Sequence, residues 1–231
     1  MVGKPKSTRS ILRVLELYAG SRSIGKVAES RGHEVCSVDI KGFEGIDIVA
    51  DIEFLTLADL PWIPDLVWAS PPCTTYSIAA ISHHRDGIHP KTEFAAKSDR
   101  LVLNTLKLIR DTGAIYFIEN PRGALRKMPF MIGSSKATIW YCQYGDSRAK
   151  PTDIWSNNIR GVLNPSGEWI PRPECHNGNP HCHHDRAPRG SKTGTQGLKG
   201  NYERSKLPEQ LCIDIIKSTE KRHEKLSTKL P

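Results

Sequence analysis

The chain has 231 residues, 38% of them hydrophobic and 25% charged, which allows one sizeable core with a small appendage but not two full domains. No apolar run reaches the about 18 residues needed to span a bilayer, and the basic start MVGKPKSTRS lacks the apolar stretch of a secretory signal. The expectation is therefore a cytoplasmic protein with no membrane partner. A net charge of +8 points away from acidic or fatty partners and toward phosphate-bearing ones.

In chain order, LRVLEL (12–17) reads as a short buried strand, followed by the turn Tyr18-Ala19-Gly20-Ser21. Ile24, Val27 and Ala28 then share one face of a helix from Ser23 to Arg31, stopped by Gly32. EVCSVDI (34–40), IDIVADI (46–52) and DLVWA (65–69) are three further strands, the last bounded by Pro61 and Pro64 before it and Pro71-Pro72 after it. Residues 94–111 form a long helix. AIYFIEN (114–120), ATIWYCQYG (137–145) and TDIWSN (152–157) are the remaining strands. Apolar strands alternating with helices imply a doubly wound α/β sheet, parallel and covered on both faces, with an antiparallel edge where the late strands follow each other directly.

From Asn158 to Tyr202 the chain is rich in Gly, Pro, His and Arg, without apolar periodicity. Helical pattern returns at Pro208 to Glu220, and the tail KSTEKRHEKLSTKLP reads as a solvated, frayed helix end. The chain thus divides into a core (1–157), a loop-rich basic insert (158–202) and a closing helix with a basic tail (203–231).

Doubly wound sheets bind ligands beyond the carboxyl ends of their strands, where the strand order reverses. The turn after the first strand fits that place: Gly20 lets backbone approach a ligand, and Ala19 and Ser21 are small. Asp39 ends the second strand nineteen residues after Gly20, suited to ribose hydroxyls, and Asp51 ends the third, suited to an adenine amino group. The second and third glycines of a pyrophosphate fingerprint are missing. A nucleoside without phosphates fits better, and S-adenosylmethionine is the obvious one.

The fourth strand runs into Ser70-Pro71-Pro72-Cys73-Thr74-Thr75-Tyr76-Ser77. Two prolines end it abruptly and project Cys73 over the sheet edge, where a thiolate is a strong nucleophile. Cys36, Cys142 and Cys212 lie inside apolar patterns and read as core. The next strand ends in Glu119-Asn120-Pro121. A desolvated glutamic acid there can donate a proton to a ring nitrogen.

The ordered set LELYAG, SVDI, PPC, IEN and QYGDSRAKPTDIW resembles the DNA cytosine-5 methyltransferases, and most of all their short, phage-borne branch. The likeness runs from about Arg13 to Ile216. It implies a Rossmann-like methyltransferase sheet, S-adenosylmethionine as methyl donor, and DNA as substrate, with the base flipped out of the helix. Carried over by position, Cys73 matches the nucleophile and Glu119 the glutamate that contacts cytosine N3. Arg148 and Lys150 match an Arg-x-Arg pair around the target base. Tyr18, Gly20, Asp39 and Asp51 match the cofactor motifs, and Ala19, Ser21, Ile40, Ile52, Ser70 and Pro71 complete the expected cofactor set. GLKGNYERSKLPEQLCIDII resembles the closing motif that completes the cofactor pocket. The chain differs in reading Glu119-Asn120-Pro121 where the family has ENV, and Lys150 in place of the second Arg.

Larger relatives carry a sizeable target-recognition domain, for which this chain offers only the insert, so selection of the target is modest or borrowed from a protein partner. Thr75, Ser77 and Arg122 beside the nucleophile and the glutamate, with Arg186, Arg189 and Lys192 in the insert, are the expected nucleic-acid contacts. The same reading gives phosphate contact to most of the insert's basic residues, Arg160 and Arg172 among them. No metal is demanded; Cys175, Cys182, His183 and His184 are the residues that a structural zinc would use, with plain polar loop as the other reading. Three rival functions stand beside the first: methylation of RNA cytosine, amino-group methylation, and a non-catalytic binding module of the same fold.

Overall fold

The computed structural model describes residues 10–78, 80–162, 164–185 and 201–228. Its main sheet contains β1 (Arg13–Leu17), β2 (Glu34–Asp39), β3 (Ile48–Val49), β4 (Leu66–Ala69), β5 (Ile115–Pro121), β6 (Lys136–Trp140) and β7 (Pro151–Ser156). The strands lie in the order β3-β2-β1-β4-β5-β7-β6. The first five are parallel, and β7 runs antiparallel to both β5 and β6. The chain changes direction of travel between β1 and β4, so their carboxyl ends flank the switch point. A Rossmann-like α/β sheet is thus observed, with the antiparallel strand one place in from the edge.

Three helices cover the sheet: α1 (Ser23–Ser30), α2 (Glu93–Thr112) and α3 (Glu209–Ser227). Successive strand residues point to opposite faces, so β1 feeds two cores at once. Leu15 and Leu17 pack with Val67, Ala69, Ile118 and the α2 residues Val102 and Leu108 on one side. Val14, with Leu66 and Phe117, packs against Ile24 of α1 and Leu211 and Ile215 of α3 on the other. The Thr92 side chain accepts from Ala95 N at 3.2 Å to start α2, and Gly113, at φ 64°, ends it.

Four expectations are corrected. The third strand is two residues long, Ile48–Val49, with Asp47 N donating to Ser37 O and Ala50 N to Asp39 O on either side of it. The strand expected over 137–145 stops at Trp140. Tyr141–Tyr144 coil into a 3₁₀ turn closed by Gly145 at φ 87°, which redirects the chain into β7. The helix expected to end at Glu220 continues to Ser227, and Glu220 is buried, bound to Arg31 and His33. Finally, the first part of the insert is anchored rather than loose. Trp169 is buried and stands edge-on to Phe117 at 5.6 Å, while Arg160 is tied to Glu168 and Arg172 to Asp214. Those two arginines are ion-paired within the fold. No helix among the described residues is long and apolar enough to cross a membrane.

Candidate active site

Cys73 sits where β4 gives way to a fixed loop. Ser70 N donates to Leu17 O at 3.4 Å, and Asn120 Nδ2 donates to Pro71 O at 2.9 Å, so β1 and β5 both hold the diproline. Cys73 is half-buried and opens a 3₁₀ turn, Thr74–Tyr76, with Tyr76 N donating back to Cys73 O at 3.0 Å. A buried arginine that the sequence did not advertise braces this turn from behind. Arg85 donates through Nε to Thr75 O at 2.9 Å and forms a forked pair with Asp99. Its guanidinium lies 4.4 Å from the centre of the Tyr76 ring, whose hydroxyl donates to the same Asp99 at 2.7 Å. Thr75 is therefore enclosed and not a nucleic-acid contact. Ser77 is half-buried, and its carbonyl accepts from Ala80 N and Ile81 N.

Glu119, on the neighbouring β5, is 6% exposed. Tyr141 donates its hydroxyl to Glu119 Oε1 at 2.9 Å, and Lys150 Nζ lies 3.9 Å from the same oxygen and 4.5 Å from the Tyr141 ring. Burial holds the Tyr141 phenol far above its ordinary pKa, so it remains a donor. Burial pushes the Cys73 thiol up, and the Glu119 charge pushes it further; Lys150 and Arg204 pull it down. Burial also lowers the Lys150 pKa, against the pull of Glu119. Arg148 is placed differently. Its guanidinium is taken by both oxygens of Asp146 and by the carbonyls of Arg204 and Lys206 at 3.2 Å each. It fastens the closing segment, and Lys150 and Arg204 are the cations that bear on the thiol.

The cofactor half lies across β1 and β2. Tyr18 and Gly20 both have positive φ, 57° and 45°, making the sharp turn after β1. The Tyr18 hydroxyl is turned into α2, donating to Leu101 O at 3.1 Å. Asp39 accepts from Gly20 N at 3.1 Å and Lys41 N at 2.9 Å, one on each oxygen. Each oxygen keeps a lone pair for a ribose hydroxyl. Ile40 beside it is 57% exposed, an apolar flank fit for a base. Arg22 is tied to Ser37 and Glu29, so it makes no phosphate cradle. These residues fit a nucleoside such as S-adenosylmethionine. Asp51 is engaged by Lys97 at 2.6 Å, a hydrogen bond that lowers its pKa, and Ile52 is buried in the core rather than at the mouth. Ala19 and Ser21 are buried, with Ser21 Oγ 2.8 Å from Ser23 Oγ. The closing segment reaches this half too: Leu207 N donates to Ser23 Oγ at 3.2 Å, and the Tyr202 ring lies 6.0 Å from Phe43.

No family model matches the chain. Among curated proteins it is 26% identical over 222 residues to the probable DNA (cytosine-5)-methyltransferase of Frog virus 3 (isolate Goorha), an alignment covering 89% of this chain and 99% of the relative. The chain is thus similar, along nearly its whole length, to a protein named as a probable cytosine-5 methyltransferase. Solved structures of similar shape include the Dnmt2 methyltransferase of S. pombe, at 18% identity and TM-score 0.44, covering 70% of this chain and 56% of that one. Entamoeba histolytica EhMeth follows at 17% identity and TM-score 0.46, covering 64% and 53%. The chain thus spans a little over half the length of these solved relatives.

Two buried residues, one in the candidate site and one beneath it, escaped the sequence. Glu16 lies in the quoted LELYAG run but reads as one polar residue in a strand. In the structure it accepts from Ile24 N and Gly25 N at the start of α1, at 3.0 and 3.1 Å. Tyr141 was absorbed into a strand. Only its spacing from Arg148 and Lys150, on one turn and the strand after it, hinted at a shared site. Arg122 is exposed, its guanidinium 5.8 Å from the Trp140 ring. Arg186, Arg189 and Lys192 lie outside the described residues. Of the zinc quartet, Cys175, Cys182 and His184 come together, but His183 faces away and pairs with Asp146 O at 3.1 Å. A cleft of about 530 Å³ between Tyr144, Asp146 and Gln210 has none of Cys73, Glu119 or Lys150 in its lining.

Proposed function

We propose that the chain transfers a methyl group from S-adenosylmethionine to C5 of a flipped cytosine in DNA, with Cys73 as covalent nucleophile. The observation that carries this is the gathering of Cys73, Glu119, Tyr141 and Lys150, with the Cys73 thiol under the opposing charges of Glu119 and of Lys150 and Arg204. When bound, S-adenosylmethionine supplies an electrophilic methyl group; Gly20, Asp39 and Ile40 would hold it. Cytosine C5 is a poor nucleophile until a thiolate bonds to C6 and N3 takes a proton. Cys73 gives its thiol proton to solvent, the Lys150 and Arg204 charges favouring the thiolate against burial and the Glu119 charge. Glu119 is placed to relay a proton to N3 as the S–C6 bond forms. The electron pair displaced by the new S–C6 bond moves to C5, which takes the methyl. The C5 proton then leaves to a base, the S–C6 bond breaks, and Cys73 is restored.

DNA as the substrate rests on the Frog virus 3 relative and on the +8 charge. The test uses duplex DNA containing 5-fluorocytosine, whose C5 cannot shed a proton after methylation. With S-adenosylmethionine a covalent adduct on the Cys73 peptide is expected, and none with Cys73→Ser. An adduct only with RNA would move the substrate to RNA. No adduct with duplex DNA, single-stranded DNA or RNA would overturn the mechanism.

A further inference from the structure

Cys142, Cys175, Cys182 and His184 meet beneath the Tyr141–Tyr144 turn, their sulfurs and one imidazole nitrogen all within 4.8 Å of one another. Cys142 comes from that turn; the other three come from the insert, more than thirty residues later in the chain. The three cysteines are free thiols. Cys142, Cys175 and His184 are buried, and Cys182 is partly so. Cys175 Sγ and His184 Nδ1 are 3.8 Å apart. An ion at about 2.3 Å from sulfur and about 2.0 Å from nitrogen sets tetrahedral ligand atoms roughly 3.6–3.8 Å apart. The four groups are thus nearly at their binding separations.

We infer that these four residues form a structural zinc site that clamps the insert to the catalytic core. Three thiolates and one imidazole in a compact tetrahedron suit Zn²⁺, and no carboxylate belongs to the set, which disfavours calcium and magnesium. Side-chain amides already face the sulfurs: Gln143 Nε2 lies 4.0 Å from Cys142 Sγ and 3.9 Å from Cys182 Sγ, and Asn179 Nδ2 3.5 Å from Cys175 Sγ. Such donors stabilise ligated thiolates. Binding through Nδ1 leaves the ring proton of His184 on Nε2, so the Gly178 amide that faces Nε2 at 3.3 Å shifts on loading. The insert has few apolar side chains to hold it, and a metal supplies the missing cross-link. Its position is consequential. Cys142 follows Tyr141, whose hydroxyl binds Glu119, so the clamp steadies the residue that orients the carboxylate.

The full chain, expressed in zinc-supplemented medium and purified under reducing conditions without chelator, is expected to carry about one zinc per molecule by mass spectrometry of the metal. Cys182→Ser with His184→Gln should fall to about a tenth of that or less, whereas His183→Gln should keep it in full. Should the double variant fail to fold, cobalt added to the metal-stripped wild type decides. The visible bands of tetrahedral cobalt with thiolate charge transfer in the near ultraviolet are expected. Zinc below about a tenth of an equivalent with no such spectrum would overturn the site, as would an intact mass showing a disulfide among Cys142, Cys175 and Cys182. The measurement is independent of methyl transfer, so its failure leaves the proposed function standing.

Discussion

Cys73 is poised by opposing charges rather than by one activating base. Burial and Glu119 keep its proton on, and Lys150 works against both. Lys150→Met keeps the length of the side chain and removes its charge. The pH at half-maximal alkylation of Cys73, already above the ordinary thiol value, should then move higher still, with alkylation at pH 8 slowed several-fold. Iodoacetamide labelling read on the Cys73 peptide across pH checks this, and an unchanged profile would remove Lys150 from the account. Tyr141→Phe tests the other arm. A hydrogen bond to a charged group contributes about 1.5–3 kcal/mol, so loss of the donor at 2.9 Å from Glu119 should cost about tenfold or more in kcat while leaving DNA affinity unchanged.

The loop between β4 and the short helix beyond Cys73 works as one element because three others press on it. Asn120 on β5 binds Pro71 O, Asp99 on α2 pairs with the buried Arg85, and the chain after β5 crosses at Gly123. There a Cβ would come within 2.4 Å of Tyr76 O, a backbone atom with no room to yield. Gly123→Ala should therefore displace the Cys73 turn, lowering adduct formation at least tenfold while circular dichroism stays native. Much of this frame was legible in the sequence. The diproline, the apolar runs of β1, β4 and β5, and the glutamate at a strand end are local signals, and periodicity reads them. What was illegible depends on distant partners. Arg85 looks like a surface charge until Asp99 and Tyr76 surround it, Cys142 is core as it reads but its neighbours Cys175 and Cys182 come from the distant insert, and Arg148 looks like a base contact until Asp146 and two carbonyls claim it.

At the scale of the molecule, the closing helix joins the two ends of the chain. Glu220 on α3 receives both Arg31 nitrogens, at 3.0 and 2.8 Å, and stands 2.9 Å from His33 Nε2, whose other ring nitrogen accepts from Leu12 N. Glu220→Ala leaves the Arg31 guanidinium and the His33 ring without their shared acceptor and should cost about 3–5 kcal/mol in urea unfolding. Beneath the same layer lies Glu16, enclosed between β1 and the start of α1. Burial pushes its pKa up to about 7, although the Ile24 and Gly25 amides draw it down. The unfolded chain gives up this proton near pH 4.5, the ordinary glutamate value, whereas the folded chain keeps it to about 7. Between those values the folded state binds more protons, so its stability falls as pH rises and levels off above about 7. The loss is on the order of 3 kcal/mol for a shift of that size. Glu16→Gln cannot titrate and should flatten this part of the profile, whatever it does to stability at a single pH. Thermal melts of both proteins from pH 5 to pH 8 measure the difference. Equal slopes would mean that the buried carboxylate is charged throughout, held by the amino end of α1.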